Sequence, residues 1–217
     1  MTKPSPQFDG QISIVTGAGS GFGFATAEGL AVAGATVFCV DWKGAEEAAA
    51  SIRASGGNAT GVMLDVRDSA GWTALVEGVV ARHGPIDILV NNAGIAVPGD
   101  TAAEVSEEVW DRILDINAKG VWLGMRAVLP GMVARKHGKI CNVASTAAHI
   151  GLRDAAAYCA SKGAVLALTR QAGVPLTPIG RFAESPEVAA AILFLVSSGS
   201  SFITGADVSV DGGMVAL

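Results

Sequence analysis

Tyrosine, cysteine and long apolar runs are all scarce in this sequence, and each scarcity excludes a class of protein. The 217 residues include one tyrosine and three cysteines, an odd number without any CxxC pair, which argues against a disulfide framework or a cysteine-rich metal site. We therefore predict free thiols, with Cys39 and Cys141 buried because both lie in apolar strand-like runs. The longest apolar runs, such as residues 188–196, fall well short of a bilayer span, which takes about 20 residues. With no apolar signal core at the start of the chain, these features predict a cytoplasmic protein.

Positive charge is also in short supply. Lys and Arg total 15 against 20 Asp and Glu, the net charge is −5, and no stretch clusters basic residues. Because nucleic acid phosphates are bound by a basic face, this balance argues against nucleic acid as a partner. Half of the residues are hydrophobic and 16% are charged, which indicates a folded chain. The length fits one α/β domain over residues 1–217.

Short apolar runs alternate with helical segments along the whole chain. The runs predict strands at residues 11–16, 36–41, 59–66, 86–92, 139–145 and 207–210, with helices between them. Strands that alternate with helices form βαβ units. We therefore predict an α/β fold of the Rossmann-like, doubly wound type, in which helices cover both faces of a parallel sheet in three layers. The longest helix is capped by Ser106, and Pro130 should kink it or end its regular part.

The stretch TGAGSGFG, residues 16–23, follows the first predicted strand and opens the first helix. It lacks a strict GxGxxG string, and its glycines Gly17, Gly21 and Gly23 follow the pattern T-G-x(3)-G-x-G. Glycines let the backbone approach a pyrophosphate, and a helix N-terminus supplies free N–H groups and the positive end of the helix dipole. The stretch therefore predicts a dinucleotide site, although such a turn can also be purely structural.

Asp41 ends the second predicted strand, 20 residues after Gly21. A carboxylate at this place accepts hydrogen bonds from the ribose 2′-hydroxyl and repels a 2′-phosphate, so it favours NAD over NADP. Lys43 lies two residues further on and could soften that preference. The alternative is a strand-end aspartate with no ligand, placed in a turn.

These features together resemble the classical short-chain dehydrogenase/reductase family over nearly the whole chain. The stretches LDV (64–66), NNAG (91–94), DINAKG (115–120), NVAS (142–145), YCASK (158–162) and ITGADVSVDGG (203–213) follow the family's order. The glycine spacing matches the classical branch and differs from the GxxGxxG turn of the extended branch. The resemblance implies four catalytic residues: Asn117, Ser145, Tyr158 and Lys162. It also implies that the cofactor is bound by Gly17, Ser20, Gly21, Phe22, Gly23, Asp41, Asp65, Val66, Asn92, Ala93, Gly94, Tyr158 and Lys162.

Tyr158 and Lys162 suit the proton transfer that must accompany hydride transfer between a nicotinamide and a carbon. A free tyrosine, with a pKa of about 10, is a poor base at neutral pH. A lysine four residues later lies on the same helix face, and its charge favours the phenolate. Tyr158 then acts as general base for alcohol oxidation and general acid for ketone reduction, while Ser145 holds the substrate oxygen by a hydrogen bond. By resemblance, Lys162 also holds the nicotinamide ribose and Asn117 anchors a water chain.

Each of these residues also has a plainer interpretation when taken singly. Tyr158 and Lys162 could form an ordinary polar stripe on a helix, and Ser145 could be a cap at a strand end. Asn117 could be a helix residue that is bonded to backbone. The ordered set of motifs favours the catalytic interpretation.

The sequence departs from the family pattern near Gln171. There the helix that carries Tyr158 is predicted to stop, whereas the family continues with a sixth strand and a substrate-covering segment, together roughly 30–50 residues. Without that strand the fifth strand would keep an open edge of unpaired backbone groups. We therefore hypothesise that the sequence omits a segment of the gene product near residues 171–173. A real deletion would damage the nicotinamide site.

Three functional assignments follow. The preferred one is an NAD(H)-dependent oxidoreductase that interconverts a secondary alcohol and a ketone, with NADP the less favoured cofactor. The second is an NADPH-dependent 3-oxoacyl-thioester (acyl-carrier-protein) reductase, which Asp41 disfavours, and the third is a catalytically inactive dinucleotide-binding subunit. By analogy with the family, a homotetramer is expected. The loops after NNAG and NVAS are mostly small or apolar and favour a neutral small-molecule substrate, whereas Arg153 would suit an acid.

Overall fold

The computed structural model describes residues 8–97, 99, 101–173, 187, 191, 192, 194, 200 and 201. The chain divides into two compact units, residues 1–169 and 170–217. In the second unit, Glu187, Ala191, Ile192 and Phe194 are helical. The predicted strand at residues 207–210 lies outside the described residues. The division into one domain over residues 1–217 stays a prediction.

Five parallel strands form the sheet of the first unit. They are β1 (Ile12–Thr16), β2 (Thr36–Asp41), β3 (Asn58–Met63), β4 (Ile88–Asn91) and β5 (Lys139–Asn142), in the order β3-β2-β1-β4-β5. The chain runs outward in one direction from β1 to β3 and in the other from β4 to β5, which confirms the predicted doubly wound sheet. In such sheets a ligand binds beyond the carboxyl ends of the strands, where the winding direction reverses. Here that point lies between β1 and β4.

The helices cover both faces of this sheet. They are α1 (Gly21–Val32), α2 (Ala45–Ala54), α3 (Ser69–His83), α4 (Glu107–Leu114), α5 (Gly120–Arg135) and α6 (Ala156–Gly173). On one face, Ile14 and Val40 belong to a buried cluster with residues of α3 and α5. On the other face, Val15 and Val37 belong to a cluster with residues of α1 and α2. Consecutive strand residues point to opposite faces, so the near-continuous apolar strands supply both clusters, and the three layers follow.

The long predicted helix is interrupted, but not at its proline. Ser106 caps α4 by accepting a hydrogen bond from the N–H of Val109, at 3.3 Å between Oγ and N, as predicted. A π-helical turn, Asp115–Lys119, then separates α4 from α5, and α5 continues through Pro130 to Arg135. Of the two outcomes predicted for Pro130, an end of the regular helix is therefore wrong, and a kink stays a prediction. Pro130 is exposed, so water can solvate the carbonyl that it leaves without an N–H partner.

Strand β5 differs from the prediction in length and burial. It ends at Asn142 rather than at Ser145, and its Cys141 is exposed, whereas Cys39 of β2 is buried. The prediction that Cys141 is buried is therefore wrong; among the described strands, β5 pairs with β4 alone. Burial raises the pKa of the Cys39 thiol to about 11, which makes this cysteine unreactive.

Candidate active site

The glycine-rich turn between β1 and α1 packs its own backbone tightly. A Cβ atom built on Gly23 would lie only 2.0 Å from the carbonyl oxygen of Gly17 and 2.6 Å from Nδ2 of Asn92, so no larger residue fits there. A Cβ on Gly21, where φ is +56°, would meet nothing within 4 Å. Gly21 therefore faces open space while Gly23 faces the protein, which is the arrangement expected where a phosphate approaches the backbone.

Helix α1 begins directly in this turn. Its N-cap residue is Ser20, in extended conformation, and the Ser20 side chain makes no capping hydrogen bond to the first turn. The N-terminal N–H groups of a helix lack intrahelical partners and carry partial positive charge. Phe22, in the first turn of α1, is largely exposed, at 83% of its surface. The free donors and the dipole of α1 can therefore receive an anionic group.

Asp41 lies at the carboxyl end of β2, beside the glycine-rich turn. Its Oδ2 accepts a hydrogen bond from the N–H of Gly19 at 2.9 Å, and its Oδ1 accepts one from the N–H of Lys43 at 3.2 Å. These two bonds fix the carboxylate at the edge of the turn. Each carboxylate oxygen has a further lone pair, so Asp41 can still accept a hydrogen bond from a ribose hydroxyl.

Thr16 ties the ends of β1 and β4 together, a role that was not predicted for it. Its buried Oγ1 accepts hydrogen bonds from the N–H groups of Asn92, at 2.9 Å, and Ala93, at 3.1 Å. In return, Nδ2 of Asn92 donates to the carbonyl oxygens of Thr16, at 3.0 Å, and Gly17, at 3.3 Å. Thr16 is the first residue of the TGAGSGFG stretch, and this position is the sequence signal that could have indicated its role. The first stretch of the predicted cofactor site is therefore joined to the NNAG stretch, as the resemblance implies.

Asp65 and Val66 follow β3 and precede α3, outside the strand that was predicted to contain them. The guanidinium of Arg67 contacts both oxygens of Asp65, with Nη2 2.6 Å from Oδ2 and Nε 3.0 Å from Oδ1. The hydrogen bond from Arg67 holds the pKa of Asp65 below its usual value. Val66 is buried, and its carbonyl oxygen accepts a hydrogen bond from the indole N–H of Trp72. Asp65 is therefore held as a charged, oriented carboxylate.

Asn117 lies in the π-helical turn and is completely buried. Its Oδ1 accepts a hydrogen bond from the N–H of Ile95 and its Nδ2 donates to the carbonyl oxygen of Ile95, both at 2.8 Å. A second donation from Nδ2 goes to Oγ of Ser161 in α6, at 3.0 Å. The side chain of Asn117 thus bonds the protein itself, on the loop after β4 and on α6. This agrees with both the catalytic interpretation and the plainer one, backbone bonding.

Lys162 reaches from α6 toward the end of β5. It is buried, and its Nζ donates a hydrogen bond to the carbonyl oxygen of Val143 at 2.7 Å. The same Nζ lies 5.8 Å from the centre of the Tyr158 ring. Burial lowers the pKa of the Lys162 ammonium, since removal from water disfavours the charged form. The plainer interpretation, a solvated helix charge, is therefore wrong for Lys162.

Gly94 brings the loop after β4 against this group. A Cβ atom built on Gly94 would lie 3.2 Å from Oδ1 of Asn117 and 3.6 Å from Nζ of Lys162. The backbone at Gly94 therefore lies close to polar groups of two other segments. Three of the predicted site residues lie close together here: Gly94 in the loop after β4, Asn117 in the π-helical turn and Lys162 in α6.

Ser145 lies three residues beyond the end of β5, in extended conformation, and caps a short 3-10 turn at Thr146–Ala148. Its Oγ accepts a hydrogen bond from the N–H of Ala147 at 3.1 Å. A hydroxyl that accepts one hydrogen bond keeps its own proton for another acceptor. The capping role therefore does not exclude the predicted hydrogen bond to a substrate oxygen.

Two further structural findings concern the residues that the structure describes. Within them, no group of three or more His, Cys, Asp and Glu residues could hold a metal ion. No helix in the same part of the chain is long and apolar enough to cross a membrane.

Comparisons with known proteins agree with this geometry. The family model for short chain dehydrogenases matches residues 11–180, and a model described as enoyl-(acyl carrier protein) reductase matches residues 174–215. The chain is 36% identical over 244 residues to cyclopentanol dehydrogenase from Comamonas testosteroni, covering 95% of this chain and 97% of that protein. It is also 36% identical over 244 residues to D-threitol dehydrogenase from Mycolicibacterium smegmatis, covering 95% and 94%. The crystal structure of gox2181 shares 29% identity, covers 98% of both chains and has a TM-score of 0.74.

The lengths of these alignments bear on the gap near Gln171. An alignment of 244 residues is longer than the 217 residues of this chain. The relatives therefore contain residues, within the aligned region, that this chain lacks.

Proposed function

The chain belongs to the classical short-chain dehydrogenase/reductase family, and we propose that it interconverts a secondary alcohol and a ketone with NAD(H). The observation that carries this proposal is the buried Lys162, whose Nζ lies 5.8 Å from the ring centre of Tyr158. A buried ammonium beside a phenol has a chemical purpose that a solvated lysine lacks, because it stabilises the phenolate. The cofactor supplies the hydride acceptor or donor, and the chain must manage the proton.

The proposed proton transfer uses three residues. In alcohol oxidation, Tyr158 as phenolate takes the hydroxyl proton of the substrate while the carbon-bound hydrogen leaves as hydride. Ser145 donates a hydrogen bond to the substrate oxygen and keeps it aligned. Lys162 stabilises the phenolate that begins the step, and in ketone reduction Tyr158 returns the proton. Asn117 holds the loop after β4 in place beside them.

The proposed cofactor preference rests on Asp41. Its carboxylate is fixed at the edge of the glycine-rich turn by the N–H groups of Gly19 and Lys43. A negative charge there accepts a hydrogen bond from a ribose 2′-hydroxyl and repels a 2′-phosphate. Phosphate would be received by the start of α1 at Ser20 and Gly21, and the ends of β1 and β4 at Gly17 and Asn92 would lie beside the cofactor.

Turnover with matched cofactors and variants tests this function. A panel of secondary alcohols, with cyclopentanol and a threitol among them, is incubated with NAD⁺ or NADP⁺, and absorbance of the reduced cofactor is recorded. We expect NAD⁺ to be preferred, and Asp41→Ala to reverse or abolish that preference. Tyr158→Phe should lower turnover by about 1,000-fold or more and leave the dissociation constant for NADH within about twofold. A Tyr158→Phe enzyme with wild-type turnover would show that the proposed mechanism is wrong.

A second candidate function is the NADPH-dependent reduction of a 3-oxoacyl thioester. The match of residues 174–215 to a family model described as enoyl-(acyl carrier protein) reductase favours it, and Asp41 argues against it. Reduction of an acetoacetyl thioester by NADPH at a higher rate than any alcohol oxidation would establish this alternative. The absence of turnover in both assays, with NADH still bound, would instead identify an inactive dinucleotide-binding subunit.

The remaining parts of the proposal concern assembly and chain length. We include a homotetramer because α5 exposes the apolar side chains of Trp122 and Val133, at 42% and 68% of their surfaces, which a second copy would cover. Sedimentation velocity tests it.

A cytoplasmic location is also part of the proposal and is supported by three free cysteines. The missing internal segment is supported by the longer alignments, and an intact mass of 21.8 kDa for the natural protein would contradict it.

A further inference from the structure

Ser161 lies between Tyr158 and Lys162 on α6, and the proposed mechanism gives it no task. It is completely buried, as is Asn117. Its Oγ lies 3.0 Å from Nδ2 of Asn117 and 2.7 Å from the carbonyl oxygen of Tyr158. This hydroxyl therefore joins the π-helical turn to the helix that carries the Tyr158–Lys162 pair.

The chemistry of the neighbours determines the direction of these hydrogen bonds. The N–H of Ile95 can only donate and its carbonyl can only accept, so the amide of Asn117 has one possible orientation. Its second N–H then points to Ser161, which accepts it. The single proton of the Ser161 hydroxyl is donated to the carbonyl oxygen of Tyr158. Asn117 thus donates to Ser161, and Ser161 donates in turn to the backbone of Tyr158.

We propose that Ser161 is a positioning residue, which through Asn117 holds the backbone at Gly94 and Ile95 in register with Tyr158 and Lys162. This inference rests on the proposed function. The three segments involved are far apart in the chain. Gly94 and Asn117 are nevertheless close in space, because a Cβ built on Gly94 would lie 3.2 Å from Oδ1 of Asn117. Without the Ser161 hydroxyl, one N–H of the buried Asn117 amide loses its partner. The amide then shifts, and the loop after β4 shifts with it relative to α6.

The same helix offers a control that makes the same kind of backbone hydrogen bond at an exposed position. Oγ1 of Thr169 donates a hydrogen bond to the carbonyl oxygen of Val165 at 2.7 Å, much as Ser161 does to Tyr158. Its other partner is Asn142, which donates to it at 3.0 Å, so Thr169 makes no bond to Asn117. A residue that merely completes hydrogen bonds inside α6 should behave like Thr169.

The test compares Ser161→Ala and Thr169→Ala with the wild type, using NAD⁺ and the best alcohol of the panel above. We expect Ser161→Ala to lower kcat by about 10- to 100-fold and to raise the dissociation constant for NADH by a smaller factor, because Gly94 also belongs to the predicted cofactor site. Thr169→Ala should change kcat by less than about twofold. Ser161→Thr, which keeps the hydroxyl, should recover most of the lost kcat. Unchanged kcat in Ser161→Ala, or an equal loss in Thr169→Ala, would overturn the proposal.

A second measurement does not depend on activity. Hydrogen exchange at the amide of Ile95 should accelerate in Ser161→Ala and not in Thr169→Ala, because only the first change loosens Asn117. If Ser161→Ala fails to fold, Ser161→Cys replaces it, with the same direction and a smaller effect. Unaltered exchange at Ile95 in a folded variant would overturn the link. A wild type without turnover on any alcohol would refute the proposed function, while the exchange still decides whether Ser161 holds Asn117.

Discussion

The predicted dinucleotide end and the predicted catalytic end of the candidate site are built by different means. At the dinucleotide end, the backbone of one short stretch, residues 16–23, forms the surface, and β1 beneath it is buried throughout. At the catalytic end, side chains of separate segments meet, Asn117 from the π-helical turn and Lys162 from α6, and β5 beside them is partly exposed. A backbone surface depends on residues that leave space, whereas a side-chain cluster depends on every hydrogen bond that holds it. Substitutions should therefore disrupt the first end by adding atoms and the second end by removing hydrogen-bond partners.

The largest effect should come from adding one methyl group at the dinucleotide end. In Gly23→Ala, the new Cβ would overlap the backbone of Gly17 at 2.0 Å, and the backbone must move. We expect the free energy of unfolding to fall by about 3 kcal/mol or more, with loss of NADH binding. Gly29→Ala on the same helix, where a Cβ meets nothing within 4 Å, should instead gain about 0.5–1 kcal/mol. Chemical denaturation and NADH titration measure both, and a neutral Gly23→Ala would contradict the close packing.

The Thr16 hydroxyl, which joins the ends of β1 and β4, should have the next largest effect. In Thr16→Val the shape is kept, but the N–H groups of Asn92 and Ala93 lose their common acceptor. We expect a loss of about 1–3 kcal/mol in unfolding free energy and weaker NADH binding. Thr36→Val is the control, because its hydroxyl accepts a single exposed hydrogen bond from Asn58. Equal effects of the two substitutions in urea denaturation would show that Thr16 does not join the ends.

The buried ammonium of Lys162 should make the stability of the catalytic end depend on pH. Burial lowers its pKa below the ordinary value of 10.5, so between the lowered pKa and 10.5 the unfolded chain binds more protons than the folded one. Stability contributed by this residue therefore rises with pH in that interval. The unfolding free energy of the wild type relative to Lys162→Met should increase from about pH 7 to about pH 10. Urea denaturation at both pH values measures it. Lys139→Met, which removes an exposed charge on β5, is the control, and a pH-independent difference for Lys162→Met would contradict the prediction.

The smallest effect concerns backbone strain near Tyr158. Asp154 has a φ of +53°, in the left-handed region, and so has Lys136 at the end of α5, with a φ of +51°. Glycine adopts this region without strain, so Asp154→Gly and Lys136→Gly should each raise the unfolding free energy by about 0.5–1 kcal/mol. Only Asp154→Gly, in the loop that leads into α6, should also alter turnover. Thermal denaturation and kcat measure the pair, and equal turnover in both variants would show that this strain has no role in the site.

The residue patterns of the candidate site could be read from the sequence, and the structural errors share a cause. The glycine-rich turn, Asp41 at a strand end and the Tyr158–Lys162 spacing are local patterns, so the order of residues reveals them. The exposure of Cys141, the continuation of α5 through Pro130 and the position of Ser145 beyond β5 could not be predicted in this way, because each depends on which neighbours the segment has. Thr16 and Ser161 were missed for the same reason. Their partners lie 76 and 44 residues away in the chain.

Local patterns of residues were enough to predict the doubly wound parallel sheet and the family, and they are the basis for the chemical groups proposed for the candidate site. They suffice because these properties follow from period, spacing and turn residues within about 20 positions of one another. The way in which those groups are held depends instead on the folded chain: the burial of Lys162 against Val143, the orientation of the Asn117 amide and its bond to Ser161. A buried hydrogen bond is made or lost over less than an ångström. The packing of separate segments, and no local pattern, determines such distances.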